Sequence, residues 1–105
     1  MGRDGAKAYV AVLKIELHFP DSGSLKARRR ELAPVKAQVQ KMGGTVAEAG
    51  PHDRWQLATL VAAFTAGSPG RLEAATDRLE AWLDARFPSG VTIHKTVSSL
   101  RDLLD

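Results

Sequence analysis

Over residues 8–19, AYVAVLKIELHF, side-chain character alternates from one position to the next. Tyr9, Ala11, Leu13, Ile15, Leu17 and Phe19 fall on one side of an extended chain; Val10, Val12, Lys14, Glu16 and His18 fall on the other. A helix would scatter the same residues around its circumference, so a period of two over this length predicts a half-buried strand. Such a strand needs hydrogen-bonded neighbours along both edges and a second layer over its apolar face. Pro20-Asp21-Ser22-Gly23 ends it in a loop.

The rest of the chain supplies those parts. Ser24 is an N-cap candidate, and the spacing of Leu25, Leu32, Val35, Val39 and Met42 predicts a helix over about 24–42. Pro34 lies inside that span, so a kink or a break is expected there, because proline has no N–H to donate to the carbonyl four residues back. Gly43-Gly44 stops the helix. A short strand over 45–49 and the turn cluster Gly50-Pro51-His52-Asp53 follow. Residues 54–66, RWQLATLVAAFTA, read as a strand apolar on both faces, which suits the middle of a sheet. Ser68-Pro69 opens a second helix over about 69–87 with Leu72, Ala75, Leu79, Trp82, Leu83 and Phe87 as its core stripe. Residues 91–98, VTIHKTVS, alternate as a last strand.

The order βαββαβ predicts an α+β, ferredoxin-like domain: a four-stranded antiparallel sheet with two helices on one face. The first and third strands are expected at its centre, parallel to one another. The other face carries Val10, Val12, Lys14, Glu16 and His18, together with one of two apolar sets from the third strand. Either Trp55, Leu57, Thr59, Val61 and Ala63 or Gln56, Ala58, Leu60, Ala62 and Phe64 would lie there. A greasy strip on an uncovered sheet marks an interface. A homo-oligomer, with a dimer favoured, is therefore expected to bury Val10, Val12, Leu57 and Val61.

Length and composition bound the rest. The chain has 105 residues, enough for one small domain, expected over 8–98 between a flexible segment at 1–7 and a tail at 99–105. It has no cysteine, which excludes disulfides, thiolate metal sites and cysteine nucleophiles. No apolar run is long enough to span a membrane, and MGRDGAK has no apolar core of a secretory signal, so a cytoplasmic setting is expected. The net charge of +3 is unevenly placed: residues 1–45 hold nine Lys/Arg against four Asp/Glu, and residues 46–105 hold six against eight.

Ser24-Leu25-Lys26-Ala27-Arg28-Arg29-Arg30 resembles the SLKxKRR signature of the YlxP-like family, the bacterial domain of unknown function 503. Val46-Ala47-Glu48-Ala49, then Asp53, Trp55-Gln56 and Ala58-Thr59-Leu60, resemble its second segment, and Leu17-His18-Phe19-Pro20 resembles the end of its first strand. The likeness runs over about 8–98. It implies the ferredoxin-like fold. Because genes of that family often lie beside those for transcription and translation factors, including ribosome-binding factor A, it also implies a role near RNA or the ribosome. The chain departs from the family pattern at Pro34 and at Leu57, where a basic residue is common.

The candidate RNA-binding residues are Lys26, Arg28, Arg29, Arg30 and Lys41. At 100° per residue, Lys26, Arg30 and Lys41 form an outer stripe opposite the Leu/Val stripe, and Arg29 flanks it. Arg28 falls near the apolar stripe, so its stem is expected to pack while its head reaches a carboxylate or water. Cations so close to a helix N-terminus oppose its dipole, which argues against the simplest version of this reading and points either to a tolerated cost or to a partner. Base stacking on the sheet face is not expected, because Trp55 and Phe64, nine positions apart in the third strand, face opposite ways, and the outward set of the first strand has no aromatic. His18, His94 and Glu16 read as polar surface residues and His52 as lying at the far end of the sheet, so no metal and no cofactor are expected. Asp21-Ser22-Gly23-Ser24 lacks the phosphate-loop pattern, and no acylphosphatase-type loop is present. Glu48 and Asp53 read as structural, forming a hydrogen-bonded turn or a partner for Arg28. No catalytic constellation emerges, and the chain reads as a non-catalytic binding module contacting RNA or a ribosomal particle. The rival reading is an oligomeric protein-interaction or small-ligand-binding protein using the open sheet.

Overall fold

The computed structural model describes residues 6–105. The flexible segment expected at 1–7 therefore lies, for residues 1–5, outside the described residues. The elements are β1 (Tyr9–His18), α1 (Leu25–Lys41), β2 (Thr45–Gly50), β3 (Leu57–Ala66), α2 (Pro69–Arg86), β4 (Val91–Ser99) and a short α3 (Leu100–Leu104) in the tail. The sheet order is β2-β3-β1-β4 and every pairing is antiparallel.

β1 and β3 are central, as expected, but antiparallel rather than parallel. The reason is connectivity. β3 returns from β2 by a short loop and inserts between β2 and β1, so it runs against both. One consequence corrects another expectation. His52 precedes β3, and β3 starts opposite the end of β1 (Leu57 beside His18), so His52 and His18 occupy the same end of the sheet.

The alternation read in the sequence decides the layers. Ala11, Leu13, Ile15, Leu17 and Phe19 are buried beneath the helices with Ala58, Leu60, Ala62 and Phe64 of β3. Leu32, Val35 and Val39 of α1 and Leu72, Leu79 and Leu83 of α2 close the core from the other layer. Each such side chain contributes about 1.5–3 kcal/mol by leaving water. The uncovered face thus takes the Leu57, Thr59, Val61 and Ala63 set from β3, the first of the two alternatives without Trp55.

Local chemistry sets the element ends. The Ser24 hydroxyl accepts from the Ala27 N–H at 3.0 Å and caps α1, and Ser68 caps α2 by accepting from Arg71 N–H at 3.3 Å. At the C-terminus of α1, Gly43 (φ +88) turns left-handed; its N–H reaches the Gln40 carbonyl and that of Gly44 reaches Val39. That pair of bonds is a Schellman stop, which glycine adopts without strain. Gly44 also has Phe64 beneath it, so close that an added methyl would sit 2.7 Å from the ring. α1 runs through Pro34 without the break that was one expectation. The proline lies well away from the buried stripe, so the Arg30 carbonyl it leaves unpartnered is on the solvent side, where water can satisfy it.

β3 begins at Leu57, not at 54. Arg54, Trp55 and Gln56 lie in the β2–β3 loop. Gln56 continues the β1–β3 register by one bond, its carbonyl accepting from Phe19 N–H at 2.8 Å, and its side-chain amide donates to the Pro20 carbonyl at 3.2 Å.

Candidate nucleic-acid interface

α1 sorts its charges by face. It carries Lys26, Arg28, Arg29, Arg30, Lys36 and Lys41 against a single acid, Glu31. Its first turn holds no acid to offset them. Lys36 reaches Glu48 on β2, which identifies the flank toward the sheet edge, while Glu31 lines a hollow with Arg86 and Phe87 at the end of α2. Lys26, Arg29, Arg30 and Lys41 are exposed, and none of them makes an ion pair among the described residues.

Arg28 is different and leaves the predicted RNA-binding set. It is 3% exposed. Nη1 donates to Glu48 Oε1 at 2.7 Å, Nη2 to the Pro51 carbonyl at 3.0 Å and Nε to the Leu57 carbonyl at 3.0 Å. One guanidinium thus ties α1 to the end of β2, to the loop and to the start of β3. Its planar fork suits three acceptors at once, which an ammonium on a flexible stem does not.

Glu48 is the anion at the centre of this knot. Lys36 Nζ donates to its second oxygen at 3.0 Å and His52 Nδ1 lies 3.5 Å from the first. Burial alone would raise its pKa, but the hydrogen bonds from Arg28 and Lys36, with their charges, hold it down at about 2. The Lys36 contact was missed in the sequence, although a signal was there. Lys36 follows Arg28 by eight positions, just over two helical turns, and Glu48 is the sole titratable residue of the strand TVAEAG.

The remaining candidates are placed plainly. Val10, Val12, Leu57 and Val61 share the uncovered face, yet do not form one strip. Val12 lies opposite Ala63, with Val61 one pair further on facing Lys14, while Leu57 sits at the other end beside His18. Between them runs a polar band, with Glu16 3.9 Å from Lys14 Nζ and 3.2 Å from His94 Nε2. His94 is paired with Lys14, about 13 Å along the strands from the level of His18, so the two histidines are not brought together. No group of three metal-ligating side chains occurs among the described residues. In the loop before α1 the Ser22 hydroxyl donates to the Ser24 carbonyl, and the Ser24 hydroxyl is spent on the cap.

Trp55 is the residue that parity arguments misjudged. Being in the loop, it does not share a strand with Phe64, which is buried in the core. It is 52% exposed and borders a hollow of about 410 Å³ with His18, Asp53, Arg54, Gln56 and Leu57. No helix among the described residues is long and apolar enough to cross a membrane.

Fold and site together define a ferredoxin-like α+β domain with a cationic outer helix and a loop pinned beneath that helix's first turn. The chain belongs to the family described as "Protein of unknown function (DUF503)", whose model matches residues 10–96. This is the family suggested by the two sequence segments, and those segments are the ones that Arg28, Glu48 and Gln56 stitch together. No curated protein matches the chain. Among solved structures it resembles the de novo designed protein Foldit4, with a TM-score of 0.58 and 10% identity over 87% of this chain and 96% of that one. It also resembles part of the VAO-type flavoprotein MtVAO713 from Myceliophthora thermophila C1, with a TM-score of 0.54 and 19% identity. That match covers 90% of this chain but 18% of the flavoprotein. Both likenesses are of fold alone.

Proposed function

We propose that this protein is a non-catalytic, cytoplasmic binding module whose α1 outer face contacts the phosphates of RNA, free or in a ribosomal particle. The observation that carries this reading is the set Lys26, Arg29, Arg30 and Lys41, exposed and without an ion-pair partner among the described residues, while the helix's one acid lies on the other flank. A cation that meets a phosphate releases condensed counterions, so affinity falls with salt. With three to four cations engaged on a single strand, log K is expected to fall against log salt with a slope of roughly −2 to −3.

The test is binding to a labelled RNA across a salt series. The triple variant K26E/R29E/R30E is expected to lose at least about tenfold in affinity and to flatten the salt slope. The control R71E/R78E/R101E alters the net charge equally but leaves α1 intact, and is expected to bind like the parent. Equal losses in the two variants, or no binding by the parent at low salt, would end the proposal.

A second reading is favoured by Val12, a large aliphatic residue 42% exposed on a central strand beside Ala63 and Val61. Two uncovered sheets facing each other would bury roughly 600 Å² per subunit, the lower end of what stable dimers use. In sedimentation equilibrium the parent is then expected to run as a dimer and V12D/V61D as a folded monomer. A monomeric parent at tens of micromolar removes this reading.

A further inference from the structure

We propose that Trp55 is a stacking platform for an unpaired base, so that the RNA this protein prefers is single-stranded. The proposal rests on the phosphate-contact reading of α1 and names the class of strand that site takes.

Three observations lead there. Trp55 exposes half of its surface from a short loop instead of packing into the core, although the core begins three residues on at Ala58. The loop is held rigidly. Arg28 grips its two ends at the Pro51 and Leu57 carbonyls, and Gln56 is bonded through both backbone and side chain to Phe19 and Pro20. The backbone that carries the ring is already tied in place, so less of the loop has to be ordered when a base stacks on it. The same guanidinium also ties the loop under the first turn of α1, so the ring and the cations of that turn stand at one end of the domain. Trp55 is two residues from Leu57, at most about 7 Å of chain, and Leu57 is bonded to the first turn of α1 between Lys26 and Arg29. Arg54 adds positive charge at the hollow, while Asp53 offers a carboxylate to a base N–H such as the uracil N3–H. Cations for the phosphates combined with an exposed ring for a base are the means by which single strands are held without sequence readout. A duplex presents phosphates to the cations but keeps its bases stacked on each other, so Trp55 adds nothing to duplex binding.

The experiment compares a 12-nucleotide oligouridylate with an RNA duplex of equal length, using the full chain. The parent is expected to bind the single strand about tenfold more tightly than the duplex and to show quenched tryptophan emission on doing so. W55A is expected to weaken single-strand binding about tenfold, abolish the quenching and leave duplex binding unchanged, with W55F recovering most of the affinity. Denaturation midpoints of W55A matching the parent show that folding is intact. If W55A binds the single strand like the parent, the platform is overturned while the α1 reading survives. If K26E/R29E/R30E binds like the parent, the α1 reading falls, and the platform, which was argued from it, falls too.

Discussion

Arg28→Ala is expected to lower the free energy of unfolding by about 3–5 kcal/mol, the range for removing one member of a buried ion pair. Domains of this size are stable by only about 5–15 kcal/mol, so the variant should be near its folding threshold. The loss has three parts. Glu48 keeps Lys36 but loses its closest cation. The Pro51 and Leu57 carbonyls lose their donor at a partly buried position. The aliphatic stem leaves a gap beside Leu32 on the inner stripe of α1. Arg28→Lys should recover little, because one ammonium cannot serve three diverging acceptors. Urea denaturation followed by circular dichroism gives the numbers. A loss below about 1 kcal/mol would mean that Arg28 behaves as a surface residue, against its geometry. Arg29→Ala, one position on and exposed, is the matched control and should change stability by no more than about 0.5 kcal/mol.

Acid is expected to remove up to about 3 kcal/mol of stability through Glu48 alone. The folded protein holds this carboxyl at about 2, against an ordinary value of 4.5. Its folded pKa is therefore depressed, and the stability it contributes is fully present above pH 4.5. As pH falls from about 4.5 to about 2 the unfolded chain takes up a proton that the folded chain refuses, and the contribution disappears. The figure is an upper bound, since the carboxylate is partly open to water and surface screening weakens such pairs. Glu48→Gln should be less stable than the parent at pH 7, and the gap should close over that window. Denaturant midpoints at pH 7, 4.5, 3 and 2 for both proteins test it. A constant gap down to pH 2 would place the acid sensitivity elsewhere.

These two predictions give the family's paired segments a physical meaning. Ser24 caps α1, Arg28 reaches across to Glu48, Pro51 and Leu57, and Gln56 fastens the β2–β3 loop to the chain leaving β1. Much of both segments is thus a clamp at one end of the sheet. What the clamp leaves facing outward is Lys26, Arg29 and Arg30 on the helix and Trp55 on the loop. The functional proposals rest on these residues because the fold does not use them.

Residue alternation and spacing determined the element order, the inward face of β1, the core stripes of both helices, the two serine caps and the glycine stop. These follow from the 2.0 and 3.6 periodicities and from cap chemistry, which act over a few neighbouring residues. The place of Arg28 near the apolar stripe, with its head turned to a carboxylate or water, was legible for the same reason. Tertiary structure alone decided that β3 runs against β1, which set of β3 side chains faces inward, that Trp55 stands outside the strand, and which cations remain unneutralised. Each of these depends on partners far apart along the chain: Arg28 meets acceptors 20, 23 and 29 positions away, and Gln56 one 36 positions away. Periodicity carries no information about such pairings, because they form only once a sheet has brought two distant segments to the same end.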